Sequence, residues 1–211
     1  MSDQLWQLAN DVYPQVLNDR RWLHQHPELS YEERETSAYI IAQLRRMGHD
    51  PQAGIGGYGV KAVLTGSQPG PTIALRADMD ALPVQEETGL SFASVHPGVM
   101  HACGHDTHVA MLLGVARALT LLDGDWAGSV VLIFQPAEEQ GPGGARQMIA
   151  DGVLENPDVD AIFALHVNPF RPTGSVGFAP GPMKAASDRV FIVIKGKGGH
   201  QDHDQPLGET Y

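Results

Sequence analysis

Ser129-Val130-Val131-Leu132-Ile133-Phe134 runs apolar without a break after its first residue. A strand with one wet face alternates polar and apolar side chains, whereas an unbroken Val/Ile/Leu run marks a strand covered on both faces. Helices must then lie above and below it. Gln135-Pro136-Ala137-Glu138-Glu139 follows at its end, so two adjacent carboxylates sit where that strand stops.

The neighbouring segments supply the layers. Val109 to Leu122 is apolar nearly all round, as in a buried helix. Gly59–Leu64 and Thr72–Ala77 read as strands separated by a Gly/Ser/Pro turn, and Arg76-Ala77-Asp78-Met79-Asp80 follows the second. Downstream, Gly144–Asp151 reads as a short helix and Asp160–Val167 as a further buried strand that carries His166 near its end. At the N-terminus a helix is expected from Asp3 to about Asn18, broken or kinked at Pro14. Ser30 and Glu33 have capping-box spacing for a second helix that runs to Met47, with Gly48 as its C-cap. This order predicts a three-layer α/β domain with a mostly parallel sheet. In such a sheet ligands gather beyond the carboxyl ends of strands, where Asp78, Asp80, Glu138, Glu139 and His166 fall.

Strand-like patterning returns at Ser175–Phe178 and Ser187–Lys195, so a boundary is expected near 182–186. That gives a domain over 1–184 and the start of a second over 185–211.

Composition narrows the function. The chain is 42% hydrophobic and 18% charged over 211 residues, enough for a real core. Its 14 Lys/Arg against 25 Asp/Glu give a net charge of −11, and no basic block offers a nucleic acid its phosphate contacts. A single cysteine forms no intrachain disulfide. No basic-then-apolar leader or run of about 20 apolar residues is present, so no membrane partner is expected and a cytoplasmic location is the default.

Met100-His101-Ala102-Cys103-Gly104-His105-Asp106-Thr107-His108 packs three histidines, the one cysteine and an aspartate into nine residues. Cys103 and His105, with glycine between them, can be aimed at one point, and thiolate with imidazole suits zinc and similar divalent ions. A structural cysteine beside a helix-capping histidine fits the same pattern. His108, one turn on, fits a ligand or a packing role, and His101 is read as supporting. Of Glu138 and Glu139, one can bind metal while the other takes a proton from water. Asp78 or Asp80 can hold a ligating imidazole by its other nitrogen.

Six motifs in order resemble one family. They are Leu23–Ser30, Arg76–Pro83, Met100–Asp106, Gln135–Glu139, Leu165–Val167, and Ala185–Asp188 with Lys195–His200. The chain is similar to M20-type metallopeptidases. Within them it resembles the subgroup of amidohydrolases that includes hippurate hydrolases, N-acyl-amino-acid amidohydrolases and auxin-conjugate hydrolases. The resemblance implies a site for two divalent metal ions, zinc or manganese, with cobalt or nickel also possible. Cys103 would bridge them, with His105, Glu139 and His166 as further ligands. Glu138 would be the general base and Asp80 a supporting group. His200 would be a lid-domain histidine that reaches a partner subunit's active site. The implied substrate is a small N-acyl amino acid, and the full-length family is homodimeric.

Family members are about twice as long, and a last ligating histidine lies near their C-terminus. The chain is therefore expected to be a truncated member whose tail after His200 departs from the lid pattern. It is expected to bind metal weakly and to turn over little or not at all. The alternatives are a non-catalytic remnant and a structural zinc protein.

Overall fold

The computed structural model describes residues 2–182 together with 192, 193 and 195. By contact density the chain divides into residues 1–168 and 169–211. The expected boundary at 184/185 and His200 lie outside the described residues.

The first unit holds α1 (Ser2–Gln25), α2 (Arg34–Arg46), β1 (Gln52–Ile55), β2 (Gly59–Thr65), β3 (Gln68–Asp78), α3 (His105–Leu121), β4 (Ala127–Gln135), α4 (Gly144–Ala150) and β5 (Ala161–Ala164). The sheet order is β1-β2-β4-β3-β5, which places the apolar run of β4 at its centre. β3 pairs parallel with β4 and with β5, while β2 pairs antiparallel with β4 and with β1. Four of the five strands therefore point one way and only β2 is reversed. The α/β class with a mostly parallel sheet holds.

Both faces are covered, as the unbroken run demands. On one face Leu23, Ile40, Leu44, Val109, Leu113, Leu132 and Phe134 join α1, α2 and α3 to the sheet. On the other, Ala74, Val131 and Ile133 pack with Met148 and Val153. Each fully buried aliphatic side chain contributes about 1.5–3 kcal/mol. Among the described residues no helix is long and apolar enough to cross a membrane.

Four expectations are corrected. The first helix runs through Pro14 to Gln25. Proline removes one backbone donor and strains one turn, and α1 is anchored beyond it by Leu23 in the core. The Ser30/Glu33 capping box does not form, and Glu33 makes no side-chain cap on α2. Glu28 occupies that place instead, its carboxylate accepting the N–H groups of Glu35 (3.0 Å) and Thr36 (2.8 Å). β5 is shorter than expected and not buried: Ile162, Phe163 and Leu165 are 52%, 59% and 64% exposed. It is an edge strand, paired among the described residues with β3 alone. Ser175–Phe178, in the second unit, forms no strand; there Ser175 N–H and Oγ both donate to Pro172 O. The expected strand at Ser187–Lys195 lies almost wholly outside the described residues.

Candidate metal centre

The parallel strands deliver their C-terminal ends to one edge. β3 ends at Asp78, in register with Gln135 at the end of β4. Four residues on is Glu139, and two beyond the end of β5 is His166. α3 begins at His105, so its first turn meets the same edge. Gly104 precedes it with φ +83, a left-handed conformation that glycine adopts without strain. That bend separates Cys103 from His105 and lets both face one point.

His105 is fully buried. Its Nδ1 lies 2.8 Å from the backbone oxygen of Asp80 and 3.3 Å from Asp80 Oδ1. Nδ1 therefore carries the proton and donates it, which leaves the lone pair on Nε2. Nε2 is buried and makes no hydrogen bond. Around it, one donor atom each from Cys103, His105 and His166 lie within 4.8 Å of one another, and so do donors from His105, Glu138 and Glu139. Cys103 Sγ sits 3.5 Å from His166 Nε2, and His105 Nε2 sits 3.8 Å from Glu139 Oε1. A buried imidazole lone pair without a partner, ringed by a thiol, a second imidazole and carboxylates, fits a divalent cation.

The electrostatics agree. Burial disfavours protonation of His105, yet the Asp80 hydrogen bond and the charges of Asp78, Asp80 and Glu139 outweigh it and raise its pKa. The same negative field favours a cation. Burial, with the hydrogen bond and charge of Glu139 added, pushes the Cys103 thiol up to about 12. Burial would raise Asp80, but His105, Ser30 Oγ and the Glu139 and Glu138 amides hold it low. Its Oδ2 accepts from Ser30 Oγ (2.6 Å) and from Glu139 N–H (2.9 Å). Asp80 thus grips His105 and the Glu139 backbone at once.

Asp78 acts one layer out. Its Oδ1 is 2.5 Å from His108 Nδ1, and its Oδ2 accepts from Arg76 Nη1 at 2.7 Å. His108 Nε2 accepts the Val167 N–H at 3.0 Å. Both nitrogens of His108 are thereby used, which favours the packing role over the ligand role. His101 is buried with neither nitrogen bonded, and burial lowers its pKa to about 4. A further buried network, His24 with Asp106 (2.8 Å) and Glu86 (3.1 Å), fastens α1 and the loop after β3 to the start of α3.

Of the anticipated residues, Cys103, His105, Glu138, Glu139 and His166 come together, with Asp80 behind them. Ser30, Tyr31, Glu33 and His108 are the contributors that sequence reasoning missed or left open. The first three reach across about 50 to 112 positions of chain, and no local pattern signals that.

The profile of peptidase family M20/M25/M40 matches residues 74–205, which begin within β3 and include every candidate ligand. The chain belongs to this family. Among M20 relatives, the N-acyl-L-amino acid amidohydrolase of Geobacillus stearothermophilus is 46% identical over 198 residues, covering 94% of this chain and 53% of that protein. Thermostable carboxypeptidase 1 of Saccharolobus solfataricus is 47% identical over 203 residues, covering 94% and 51%. A crystal structure of the Bacillus subtilis YXEP protein, described as a dinuclear metal binding peptidase from the M20 family, superposes with TM-score 0.76. It has 44% identity and covers 82% of this chain and 48% of that one. The chain spans about half the length of the curated relatives it matches.

Proposed function

We propose that this chain carries the metal centre of a hydrolase that cleaves the amide bond of an N-acyl amino acid or a related conjugate. The observation that carries the reading is His105: Asp80 takes its Nδ1, and its buried Nε2 is left bare among Cys103, His166 and Glu139. The names of the relatives, an amidohydrolase and a carboxypeptidase, agree on amide hydrolysis.

Cys103, His105, Glu139 and His166 would hold two divalent ions, zinc or manganese, which supply Lewis-acid polarisation of the amide carbonyl and acidify a water. The rest falls to the chain's own groups. Glu138 takes the proton from the attacking water and returns it to the leaving amine nitrogen. Asp80 holds the tautomer of His105 and, through the Glu139 N–H, the attitude of the carboxylate pair. The reading extends to the N-terminal part of a catalytic domain over 1–184, the start of a lid domain at 185–211 that carries His200, a homodimer for the full-length family and a cytoplasmic location.

A second reading has its own observation. His166 is exposed, as are Phe163 and Leu165 beside it, so the centre is open on the β5 side. That favours a chain that binds metal without turning over alone. The purified chain, loaded in turn with Zn2+, Mn2+ and Co2+, is assayed against a panel of N-acyl amino acids. Metal-dependent amino-acid release that Glu138→Gln abolishes while metal stays bound supports the first reading. Metal binding without release supports the second, and absence of metal binding contradicts both.

A further inference from the structure

The turn before α2 reaches away from its own neighbourhood to grip the loop after β4. Tyr31 Oη donates to Gln140 O and accepts the Gly143 N–H, both at 3.1 Å. Glu33 is fully buried, and its Oε1 accepts the Ala137 N–H at 2.6 Å. From the other side, Ala137 O accepts the Gly144 N–H at 3.0 Å. Ala137 has φ +50, a left-handed conformation that a residue with a Cβ adopts only under constraint. It is the last residue before Glu138 and Glu139.

We propose that Glu33 is a positioning residue: through the Ala137 N–H it holds the left-handed bend that turns the Glu138–Glu139 pair into the metal centre. This rests on the metal reading above. Without the bend, two adjacent residues continuing β4 would face opposite ways, and both carboxylates would not reach His105. The side chain is suited to the task. Burial pushes its carboxyl up to about 7 against the pull of its backbone hydrogen bonds, among them the Ala137 amide, which favours the carboxylate. Its Oε2 is buried and unbonded. A buried polar atom of this kind is retained against a desolvation cost, and the Ala137 amide is part of the return, beside the backbone N–H groups of Glu33 itself and Tyr31.

The test compares Glu33→Met, which keeps the length and loses the acceptor, with Glu33→Gln, which keeps the acceptor. Ala137→Gly is added to the Met background, because glycine takes a left-handed φ unaided. Cobalt affinity is read from the thiolate absorption of bound Co2+, and amide hydrogen exchange over residues 136–143 is read without metal. Glu33→Met is expected to weaken Co2+ binding about tenfold and to speed exchange in that loop. Glu33→Gln is expected to stay near wild type, and Ala137→Gly to recover part of the affinity lost in the Met background. Wild-type exchange in Glu33→Met, or equal damage from Met and Gln, overturns the proposal. If the wild-type chain takes up no Co2+, the metal reading fails and the exchange result alone decides the clamp. If Glu33→Met does not fold, the double variant supplies both measurements.

Discussion

The imidazole of His108 accepts the backbone N–H of Val167 at 3.0 Å, next to the candidate ligand His166. Asp78 fixes the opposite nitrogen, so the tautomer that can accept is the one present. The Arg76–Asp78–His108 chain is therefore a strut from the end of β3 to the segment beyond β5. His108→Leu removes it and leaves the Val167 amide and Asp78 Oδ1 without their partner, while Arg76 still holds Asp78 Oδ2. Metal affinity should fall about 10- to 100-fold and stability by about 2 kcal/mol. His108→Gln, with an amide oxygen for Val167, should retain more of both. Metal titration and urea unfolding check this; unchanged affinity in His108→Leu would remove the strut from the account.

Gly104 is confined by both its backbone and its space. A Cβ there would stand 2.5 Å from Val167 Cγ2, and φ is +83. Gly104→Ala should cost about 1–3 kcal/mol in stability and disturb Cys103 and His105 together. Unfolding midpoints with and without metal should show the larger loss in the metal-loaded protein. Equal loss in both would mean that only the fold is affected.

His24 bridges Asp106 and Glu86, with Arg20 also bonded to Asp106 at 3.0 Å. The Asp106 hydrogen bond raises its pKa above 6.5, although burial opposes this. Burial would raise Asp106, but His24, with the charges of His101 and Arg20, holds it below 3.8. The His24 contribution is thus complete below pH 6.5 and lost as pH rises through the raised folded value. The Asp106 contribution is complete above pH 3.8 and lost as pH falls through the depressed folded value. Relative to His24→Phe, the wild type should be more stable by about 2 kcal/mol near pH 6, with the gap narrowing as pH rises above 6.5 through the raised folded value. Unfolding in urea across that range checks it, and a constant gap would contradict it.

The adjacent glutamates should separate by role. Glu138→Gln should retain metal and lose about 100-fold or more of any turnover. Glu139→Gln should lose metal first. Metal content measured beside product release distinguishes the two, and the reverse pattern would exchange the assignments.

The order of the layers was legible because an apolar run such as 129–134 carries its burial in its own composition. The site's place was legible because parallel strands end on one edge, so Asp78, the Glu138–Glu139 pair and His166 converge once the strands are found. The Ser30–Glu33 turn was not. Its spacing is that of a local cap, while the actual partners are Asp80 and Ala137, 50 and 104 positions away. Glu28 fills the cap from outside the helix, and this frees the other two. The exposure of β5 was equally hidden, because an apolar strand reads the same whether or not another element covers it.

The central claim is that Cys103, His105, Glu139 and His166 form a centre that binds divalent cations. Titrating the purified chain with Co2+ while following sulfur-to-cobalt absorption tests it most directly. The account predicts a saturable band that disappears in Cys103→Ser and weakens strongly in His105→Ala. A wild-type chain with no such band, or a His105→Ala chain that titrates like wild type, would contradict it.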